Sequence, residues 1–215
     1  MLDPLPPMYD DGFRKKFAEL LAWRRDVRRF KTDAVDADLI KKLLALAAIS
    51  PSVGNSQPWR FVSVEQRKRR AAVCSSFERC NAEALASYSD EHAETYARLK
   101  LAGLNDAPIH LAVFCEVNPK EGHGLGRATM PEMLHYSVVT AISTLWLAAR
   151  CHGLGVGWVS ILDPADVTAA LDVPVDWKLI AYLCVGYPVE EHTDPELVRH
   201  GWQDRIDLTS CYFKR

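Results

Sequence analysis

The sequence predicts an α+β fold in which a mixed β-sheet is flanked by helices around a long central helix. The first observation behind this prediction is that short apolar runs typical of strands alternate with segments of helical spacing. The second is residues 131–151, a helical segment that is apolar on most sides and is therefore expected at the centre. No repeat or Gly/Ser linker divides the 215 residues, so we expect a single domain over residues 1–215.

The first part of the chain predicts two helices, a loop and a strand. Residues 13–23 have apolar side chains at helical spacing, and Asp36 can cap a second helix over the apolar residues that follow it. The run 50–58 is dense in Ser, Pro, Gly and Asn, which is typical of a loop. Residues 59–64 then have the pattern of a strand.

Residues 66–104 are polar, charged and favourable to helix formation. We expect two helices here, with a break near residues 87–90. Because a compact core explains this segment least, we interpret it as an excursion from the domain that could form a lid over a site.

The rest of the chain alternates strands and helices. Asp163 and Pro164 can open a short helix that extends to residue 171. The predicted strands are residues 109–115, 155–161 and 177–186, and a polar tail follows the last of them. The glycine-rich run 153–157 comes after a helix and leads into a strand, which is the reverse of the dinucleotide-binding order, so a Rossmann fold is not expected.

The charge balance offers no basis for binding nucleic acid or an anionic membrane surface. The 26 Lys and Arg residues face 28 Asp and Glu, for a net charge of -2, so the chain has no overall positive field. The first residues lack the basic and apolar regions of a signal peptide, and no apolar run is long enough to span a bilayer. We therefore expect a cytoplasmic protein with no nucleic-acid partner and no membrane partner.

The cysteines and histidines lack the spacings that metal sites use. None of the six cysteines forms a C-x-x-C pair, and the seven histidines form no H-x-x-x-H pair. Cys115 and Cys184 lie within apolar strands, where cysteine behaves as a small hydrophobic residue. We expect reduced structural thiols and no metal.

The segment Arg24-Arg25-Asp26-Val27-Arg28 places three guanidinium groups around one carboxylate at the end of the first helix. Such arginines repel one another unless they are solvated or share an anion, and a phosphate can accept several of these donors. A basic helix end that complements the helix dipole explains the cluster equally well. A carboxylate among three arginines is expected to have a lowered pKa.

Three other segments can each be interpreted as part of a functional site or as ordinary local structure. The loop 50–59 offers hydroxyl, carboxamide and backbone donors suited to the pyrimidine edge of a flavin, although composition alone favours a turn into a strand. Ser160 lies in an apolar strand, and it could be a core serine bonded to backbone. The surrounding residues lack the G-x-S-x-G pattern of a hydrolase. The glycine-rich run 122–127 lacks the Lys-Ser/Thr ending of a phosphate-binding loop, so we expect a mobile loop there.

Taken together, these segments resemble the FMN-dependent nitroreductase superfamily. The resemblance extends from about residue 13 to residue 205. The matching segments are Arg24-Arg25-Asp26-Val27-Arg28, Pro51-Ser52-Val53-Gly54, Gln57-Pro58-Trp59, Leu99-Lys100-Leu101, Gly126-Arg127, Pro131-Glu132-Met133, Leu145-Trp146-Leu147-Ala148-Ala149-Arg150, Gly155-Val156-Gly157-Trp158-Val159-Ser160-Ile161 and Gly201-Trp202-Gln203-Asp204-Arg205.

The resemblance implies a flavin pocket at the interface of a homodimer. More narrowly, the chain resembles a branch of the family in which reduced FMN is the substrate rather than a retained cofactor. For that branch it implies O2-dependent fragmentation of reduced FMN to 5,6-dimethylbenzimidazole and erythrose 4-phosphate, which supplies the lower ligand of vitamin B12. It also implies a separate NAD(P)H-dependent flavin reductase that delivers reduced FMN.

The resemblance further implies roles for individual residues. Asp26 and Ser160 are the expected catalytic residues, Asp26 as a base at the ribityl chain and Ser160 as a donor near the flavin ring. The residues expected to bind FMN are Arg24, Arg25, Asp26, Val27, Arg28, Ser52, Gln57, Leu101, Ser160 and Arg205. Of these, Ser52 and Gln57 could come from the partner subunit.

Two alternatives remain open from the sequence. An ordinary NAD(P)H-dependent nitroreductase or dehalogenase would retain FMN as a bound cofactor. A non-catalytic flavin-binding protein would hold oxidised FMN and turn nothing over.

Overall fold

The computed structural model describes residues 6–88 and 102–215. The helices are α1 (Asp11–Trp23), α2 (Ala37–Ala47), α3 (Arg67–Ser87), α4 (Gly103–Asp106), α5 (Met133–Cys151), α6 (Pro164–Leu171) and α7 (Glu196–Arg199). The strands are β1 (Trp59–Ser63), β2 (Ile109–Glu116), β3 (Gly155–Val159) and β4 (Trp177–Gly186). Single 3-10 turns occur at Val53–Asn55, Glu121–Gly124 and Leu208–Ser210.

Local capping explains where several helices begin. The side chain of Asp36 accepts a hydrogen bond from the backbone N–H of Asp38 at the start of α2. Asp163 does the same for α6, where Pro164 occupies a first-turn position that needs no N–H donor. Both helix starts were predicted from the sequence and are confirmed.

The α+β class is confirmed, but the four strands are not mixed in direction. The order across the sheet is β1-β2-β4-β3, and every neighbouring pair is antiparallel. β2 and β3 do run in the same direction, as a helical crossover between strands allows, but β4 lies between them and pairs with both. Among the described residues, parallel pairing is confined to an isolated bridge between Asp26 and Val156.

Each face of the sheet has its own apolar cluster. Alternate residues of β2 and β4 point to opposite faces, so that Leu111 and Leu183 belong to one cluster and Phe114 and Tyr182 to the other. The first cluster packs against α5 and α2, and the second packs against α3 and α6. The predicted central position of α5 follows from its seven buried side chains.

The first part of the predicted lid segment is anchored to the domain. Val73 of α3 is fully buried, and Arg70 donates hydrogen bonds to the backbone oxygens of Val64 at 2.6 Å and Pro108 at 3.0 Å. The start of α3 therefore belongs to the core, because burial and these bonds hold it against the sheet. Residues 89–101 lie outside the described residues, so the lid over 66–104 stays a prediction.

Within the described residues, no helix is long and apolar enough to cross a membrane.

Candidate functional site

The arginine segment, residues 24–28, forms an extended strap along β3. Helix α1 ends at Trp23, as the apolar spacing predicts, and Arg24 at its C-cap has extended backbone angles, so the arginines follow the helix and are not part of its last turn. The N–H of Val27 donates to the backbone oxygen of Val156 at 3.1 Å. The Asp26 carboxylate accepts from the backbone N–H of Trp158 at 2.9 Å. The segment thus satisfies the exposed edge of β3, and an edge strand needs such partners.

The glycines of β3 allow this close approach. A Cβ atom at Gly157 would lie 2.1 Å from the backbone oxygen of Val27, and one at Gly155 would lie 2.6 Å from Val27 Cγ2. Real Cβ atoms do not make contacts this short. Glycine is therefore required at Gly157 because the strap lies directly against the strand.

Trp146 holds the first two arginines in place, and Trp158 packs against the Trp146 ring. The guanidinium of Arg24 lies over the ring of Trp146 on α5, 5.1 Å from the ring centroid. Trp146 Nε1 donates to the backbone oxygen of Arg25 at 3.1 Å, and the Trp146 ring is in contact with that of Trp158. The positively charged side chains are thus oriented by the central helix and by β3 together.

Five of the predicted site residues line one cavity of about 170 Å³, which we call the arginine cavity. Its predicted members are Arg24, Arg25, Asp26, Arg28 and Arg205. Pro195, Glu196 and Leu197 complete the wall, at the start of α7. The chain thus folds its tail back over the strap and brings Arg205 to the other arginines.

The electrostatics of the arginine cavity suit an anion. Burial lowers the pKa of Arg25, and repulsion from Arg24 and Arg205 lowers it further, while Asp194 opposes this. The Nε atoms of Arg25 and Arg28 are buried and have no hydrogen-bond acceptor. Crowded guanidinium groups with unused donors are the chemistry that a phosphate group satisfies. The residues present therefore fit the phosphate end of FMN.

Asp26 has a raised pKa, and the prediction of a lowered one is wrong. Burial of the carboxylate raises the pKa most, although the side chain remains 39% exposed. The bond from Trp158 and the charges of Arg28 and Arg24 lower it, and the charge of Glu196 raises it. Arg24 stacks on a tryptophan, and Arg28 Nε stays 3.6 Å from Asp26 Oδ2, so neither arginine pairs tightly with the carboxylate.

Sequence reasoning missed Glu196 and Arg29. The side chain of Glu196 is only 8% exposed, and it accepts a hydrogen bond from Arg29 Nη1 at 3.2 Å. Arg29 also pairs with Glu190, which fastens the end of the strap to the tail. Glu196 belongs to no motif, and only its position two residues after Asp194 in an acidic part of the tail sets it apart in the sequence.

Ser160 lies just beyond the end of β3 rather than within it. The strand ends at Val159, the last residue that pairs with β4, and the chain then bends toward the cap of α6. Ser160 is exposed, and its hydroxyl has no hydrogen-bond partner among the described residues. It follows Trp158, whose N–H binds Asp26, by two residues, which is about 7 Å along an extended chain.

Ser52 and Gln57 lie away from the arginine cavity of the same chain. Their loop packs on α5, where the hydroxyl groups of Ser50 and Thr144 are 2.7 Å apart. Trp146, which holds the arginine strap, comes two residues after Thr144 and so points about 200° away around the helix. The loop and the strap therefore lie on opposite faces of α5.

The geometry of this loop is specific. Ser52 Oγ accepts from the backbone N–H of Gln57 at 3.0 Å. Gln57 is exposed and has a φ of +47°, a value in the left-handed region. Leu101, the remaining predicted binding residue, lies outside the described residues.

Two buried cysteines of the sheet have raised pKa values. Burial raises the pKa of Cys115 and of Cys184 to about 12, so both stay protonated and unreactive. In the part of the chain that the structure describes, no group of three or more His, Cys, Asp or Glu side chains could hold a metal ion.

Comparison with known proteins agrees with this architecture. The family model described as "Nitroreductase family" matches residues 21–187. The chain is 58% identical to the 5,6-dimethylbenzimidazole synthase of Rhodospirillum rubrum, over 93% of this chain and 94% of that protein. It is 46% identical to the 5,6-dimethylbenzimidazole synthase of Rhodobacter capsulatus, over 92% of this chain and 96% of that protein.

A solved structure shares the fold as well. Iodotyrosine deiodinase, crystallised with FMN and 3-iodo-L-tyrosine, superposes with a TM-score of 0.69 at 27% identity, covering 81% of this chain and 91% of that chain. The match to the family model spans most of the chain, and the relatives align over nearly all of it. This chain belongs to the nitroreductase family.

Proposed function

We propose that this protein is an enzyme that fragments reduced FMN with O2, giving 5,6-dimethylbenzimidazole and erythrose 4-phosphate for the lower ligand of vitamin B12. The observation that supports this most is the arginine cavity, in which Asp26, a carboxylate with a raised pKa, lies among four arginines. The identity to two 5,6-dimethylbenzimidazole synthases over more than nine-tenths of the chain supports the same proposal.

Arg24, Arg25, Arg28 and Arg205 would hold the phosphate and ribityl end of FMN. Their guanidinium groups line one cavity, and two of their buried Nε atoms lack acceptors. An anion there relieves the repulsion between them, which is a favourable contribution to binding. Val27 supports this end through its backbone, because its N–H is bonded to β3 and keeps the strap in place.

Asp26 acts as the general base at the first carbon of the ribityl chain. A base near neutral pH works best when its pKa is raised toward that pH, and burial raises the pKa of Asp26. When bound, reduced FMN would supply the electrons for O2 and the carbon atoms of both products, and the four carbons and two nitrogens of its pyrimidine ring would leave as a separate oxidised fragment. The first ribityl carbon becomes the carbon between the two product nitrogens, so four carbons remain for erythrose 4-phosphate.

Ser160 and the residues of a second subunit would hold the ring. Ser160 has a free hydroxyl beyond the end of β3, from which it would donate a hydrogen bond to the flavin ring. Ser52 and Gln57 lie on the opposite face of α5, so we propose that they reach the arginine cavity of the partner in a homodimer. The backbone near Leu101 would close over the ring.

The reaction needs reduced FMN that this chain does not make. We propose that a separate NAD(P)H-dependent flavin reductase supplies it, and that the protein works in the cytoplasm, where such reductases and NAD(P)H are found. O2 is the second substrate, and no metal takes part.

The test is incubation of the purified protein in air with FMN, NADH and an unrelated flavin reductase, followed by mass spectrometry. 5,6-Dimethylbenzimidazole is expected only when this protein is present. In the same assay, Ser160→Ala should bind FMN with near-normal affinity and form little product. Wild-type rates in Ser160→Ala would remove Ser160 from the mechanism, and an assay with no product from the wild type would reject the proposed function.

A second candidate is reduction of a substrate by retained FMN, as in a dehalogenase or nitroreductase. The similarity to iodotyrosine deiodinase favours it. This candidate predicts that NADH or NADPH alone bleaches protein-bound FMN, and that flavin is recovered intact after turnover. The proposed function predicts neither.

A further inference from the structure

Glu196 is a second carboxylate in the wall of the arginine cavity. Its side chain is 8% exposed, whereas the side chain of Asp26 is 39% exposed. A carboxylate of this kind opposes binding of a phosphate, because like charges repel at short range. The contacts of Glu196 with Arg28 and Arg29 explain why a carboxylate is present in a cavity that suits an anion.

Glu196 and Asp26 share one arginine. Arg28 Nε lies 3.6 Å from Asp26 Oδ2 and 4.0 Å from Glu196 Oε2, and it is buried without a hydrogen-bond acceptor. Both distances exceed those of a hydrogen bond. Arg28 therefore stands between the two carboxylates and makes a tight pair with neither.

The second partner of Glu196 fixes its position. Arg29 Nη1 donates to Glu196 Oε1 at 3.2 Å, and the same arginine is held by Glu190 on its other side. His200, the residue that follows α7, has its Nε2 3.6 Å from Glu196 Oε1. The hydrogen bond from Arg29 thus holds Glu196 Oε1 on the side away from Arg28, which lies nearest to Oε2.

We propose that Glu196 is a positioning residue for the reaction: it shares Arg28 with Asp26 and so prevents Asp26 from being locked in a tight ion pair. The proposal rests on the function of Asp26 as a base. A carboxylate bonded closely to arginine is a poor base, because the cation stabilises its ionised form.

The charges around the pair agree with this role. The charged groups that act on the pKa of Asp26 are Arg24, Arg28 and Glu196, and Arg25 and Arg205 line the same cavity. A second cavity that includes Asp26 and Glu196 is also lined by the titratable or charged side chains of Arg29, Glu190, His192, Asp194 and Arg199. Glu196 faces the charged groups of Arg28 and Arg29, the imidazole of His200, and Asp26 across the cavity. Among the carboxylates near Asp26, Glu196 is the one whose charge raises the pKa of Asp26.

The experiment is a titration of Asp26 in the flavin-free protein by carbon NMR of aspartate labelled at its carboxyl group. The Asp26 signal is identified by its loss in Asp26→Asn. Glu196→Gln keeps the shape of the side chain and removes its charge, so the Asp26 titration should shift to lower pH. With the flavin assay, the acid limb of the pH profile should shift in the same direction, and the plateau rate should fall about three- to tenfold as the base weakens.

Glu190→Gln is the matched control. Glu190 also pairs with Arg29, but it is 43% exposed and its charge is not among those that shift the pKa of Asp26. The Asp26 titration should stay at its wild-type position in this variant. An unshifted Asp26 titration in Glu196→Gln, or an equal shift in Glu190→Gln, would overturn the proposal.

Two further results are needed, one if Glu196→Gln does not fold and one if the proposed function itself is wrong. If Glu196→Gln does not fold, Glu196→Asp retains the charge but withdraws it by one methylene group, and a smaller shift to lower pH is expected; no shift would count against the proposal. If the titration shifts as expected while the wild-type protein gives no 5,6-dimethylbenzimidazole, the proposed function fails and the coupling of Glu196 to Asp26 stands.

Discussion

Asp26 shows how a residue can be misjudged from its neighbours in the sequence. Three arginines lie within two positions of it, yet Arg24 stacks on Trp146 and Arg25 donates to the backbone oxygen of Leu21. Only Arg28 approaches the carboxylate, at 3.6 Å. Burial therefore dominates, and the pKa of Asp26 rises instead of falling.

We predict that Asp26→Asn abolishes product formation and does not destabilise the protein at neutral pH. The folded state holds a proton on Asp26 more tightly than the unfolded state does, because the folded pKa is the higher one. The wild-type free energy of unfolding therefore falls as the pH rises from the ordinary aspartate pKa through the raised value. Asparagine avoids this loss, and its side-chain oxygen can still accept from Trp158.

The measurement is thermal unfolding of both proteins at about pH 4 and about pH 8. The Tm of Asp26→Asn relative to the wild type should be higher at the alkaline value than at the acid one. Wild-type product formation should also decline as the pH falls through the raised pKa. A variant that loses stability relative to the wild type as the pH rises would show that the pKa of Asp26 is lowered.

At the scale of elements, the contact between the arginine strap and β3 is fixed by two glycines with different surroundings. A Cβ at Gly157 would meet the Val27 backbone oxygen, and a Cβ at Gly155 would meet the Val27 side chain. Backbone bonded into a sheet cannot move aside cheaply, whereas a side chain can rotate. The two positions therefore form a matched pair for substitution.

We predict that Gly157→Ala lowers the free energy of unfolding by about 3 kcal/mol and weakens FMN binding at least tenfold, because the strap must leave the strand. Gly155→Ala should lower the free energy of unfolding by about 1 kcal/mol and retain most of the binding. Urea unfolding and quenching of FMN fluorescence measure the two quantities. Equal effects of the two substitutions would argue against the strap as the element that shapes the cavity.

A second prediction concerns the start of α3. Arg70 donates to two backbone oxygens, those of Val64 and Pro108, which join the end of β1 to the start of β2. Arg70→Met leaves both oxygens without this donor and should lower the free energy of unfolding by about 2 kcal/mol. Lys68→Met, at an exposed position on the same helix, should change it by less than about 0.5 kcal/mol. Similar losses in both variants would show that α3 is not anchored by Arg70.

At the scale of the whole molecule, the division of the predicted site between two faces of α5 has a direct consequence. If Ser52 and Gln57 complete the cavity of a partner, neither Asp26→Asn nor the Ser52→Ala/Gln57→Ala double variant is active alone. Subunits mixed after gentle unfolding form hybrid dimers in which one of the two sites is intact. About a quarter of the wild-type activity should return, since about half of the dimers are hybrids.

The control for this mixing experiment is each inactive variant refolded by itself, which should stay inactive. A mixture that also stays inactive, although hybrid dimers are present by mass spectrometry, would place all of these residues in one chain's site.

The sequence predicts the elements of this molecule better than its site. Helix caps such as Asp36 and Asp163 act on residues next to them, so local pattern suffices to find them. The directions of the strands depended on β4 entering between β2 and β3, which no local pattern encodes. Asp26 and four of its arginines could be named through family resemblance, but Glu196 could not, because it reaches the cavity only when the tail folds back.

The central claim is that FMN is consumed, and a single oxidation tests it most directly. The protein is loaded with FMN reduced by light under nitrogen, with no NADH and no reductase, and is then mixed with buffer saturated with air. We predict that the flavin absorbance fails to return and that 5,6-dimethylbenzimidazole forms in an amount equal to the FMN lost. Quantitative return of oxidised FMN would contradict the account and would leave the protein a flavin carrier or a reductase.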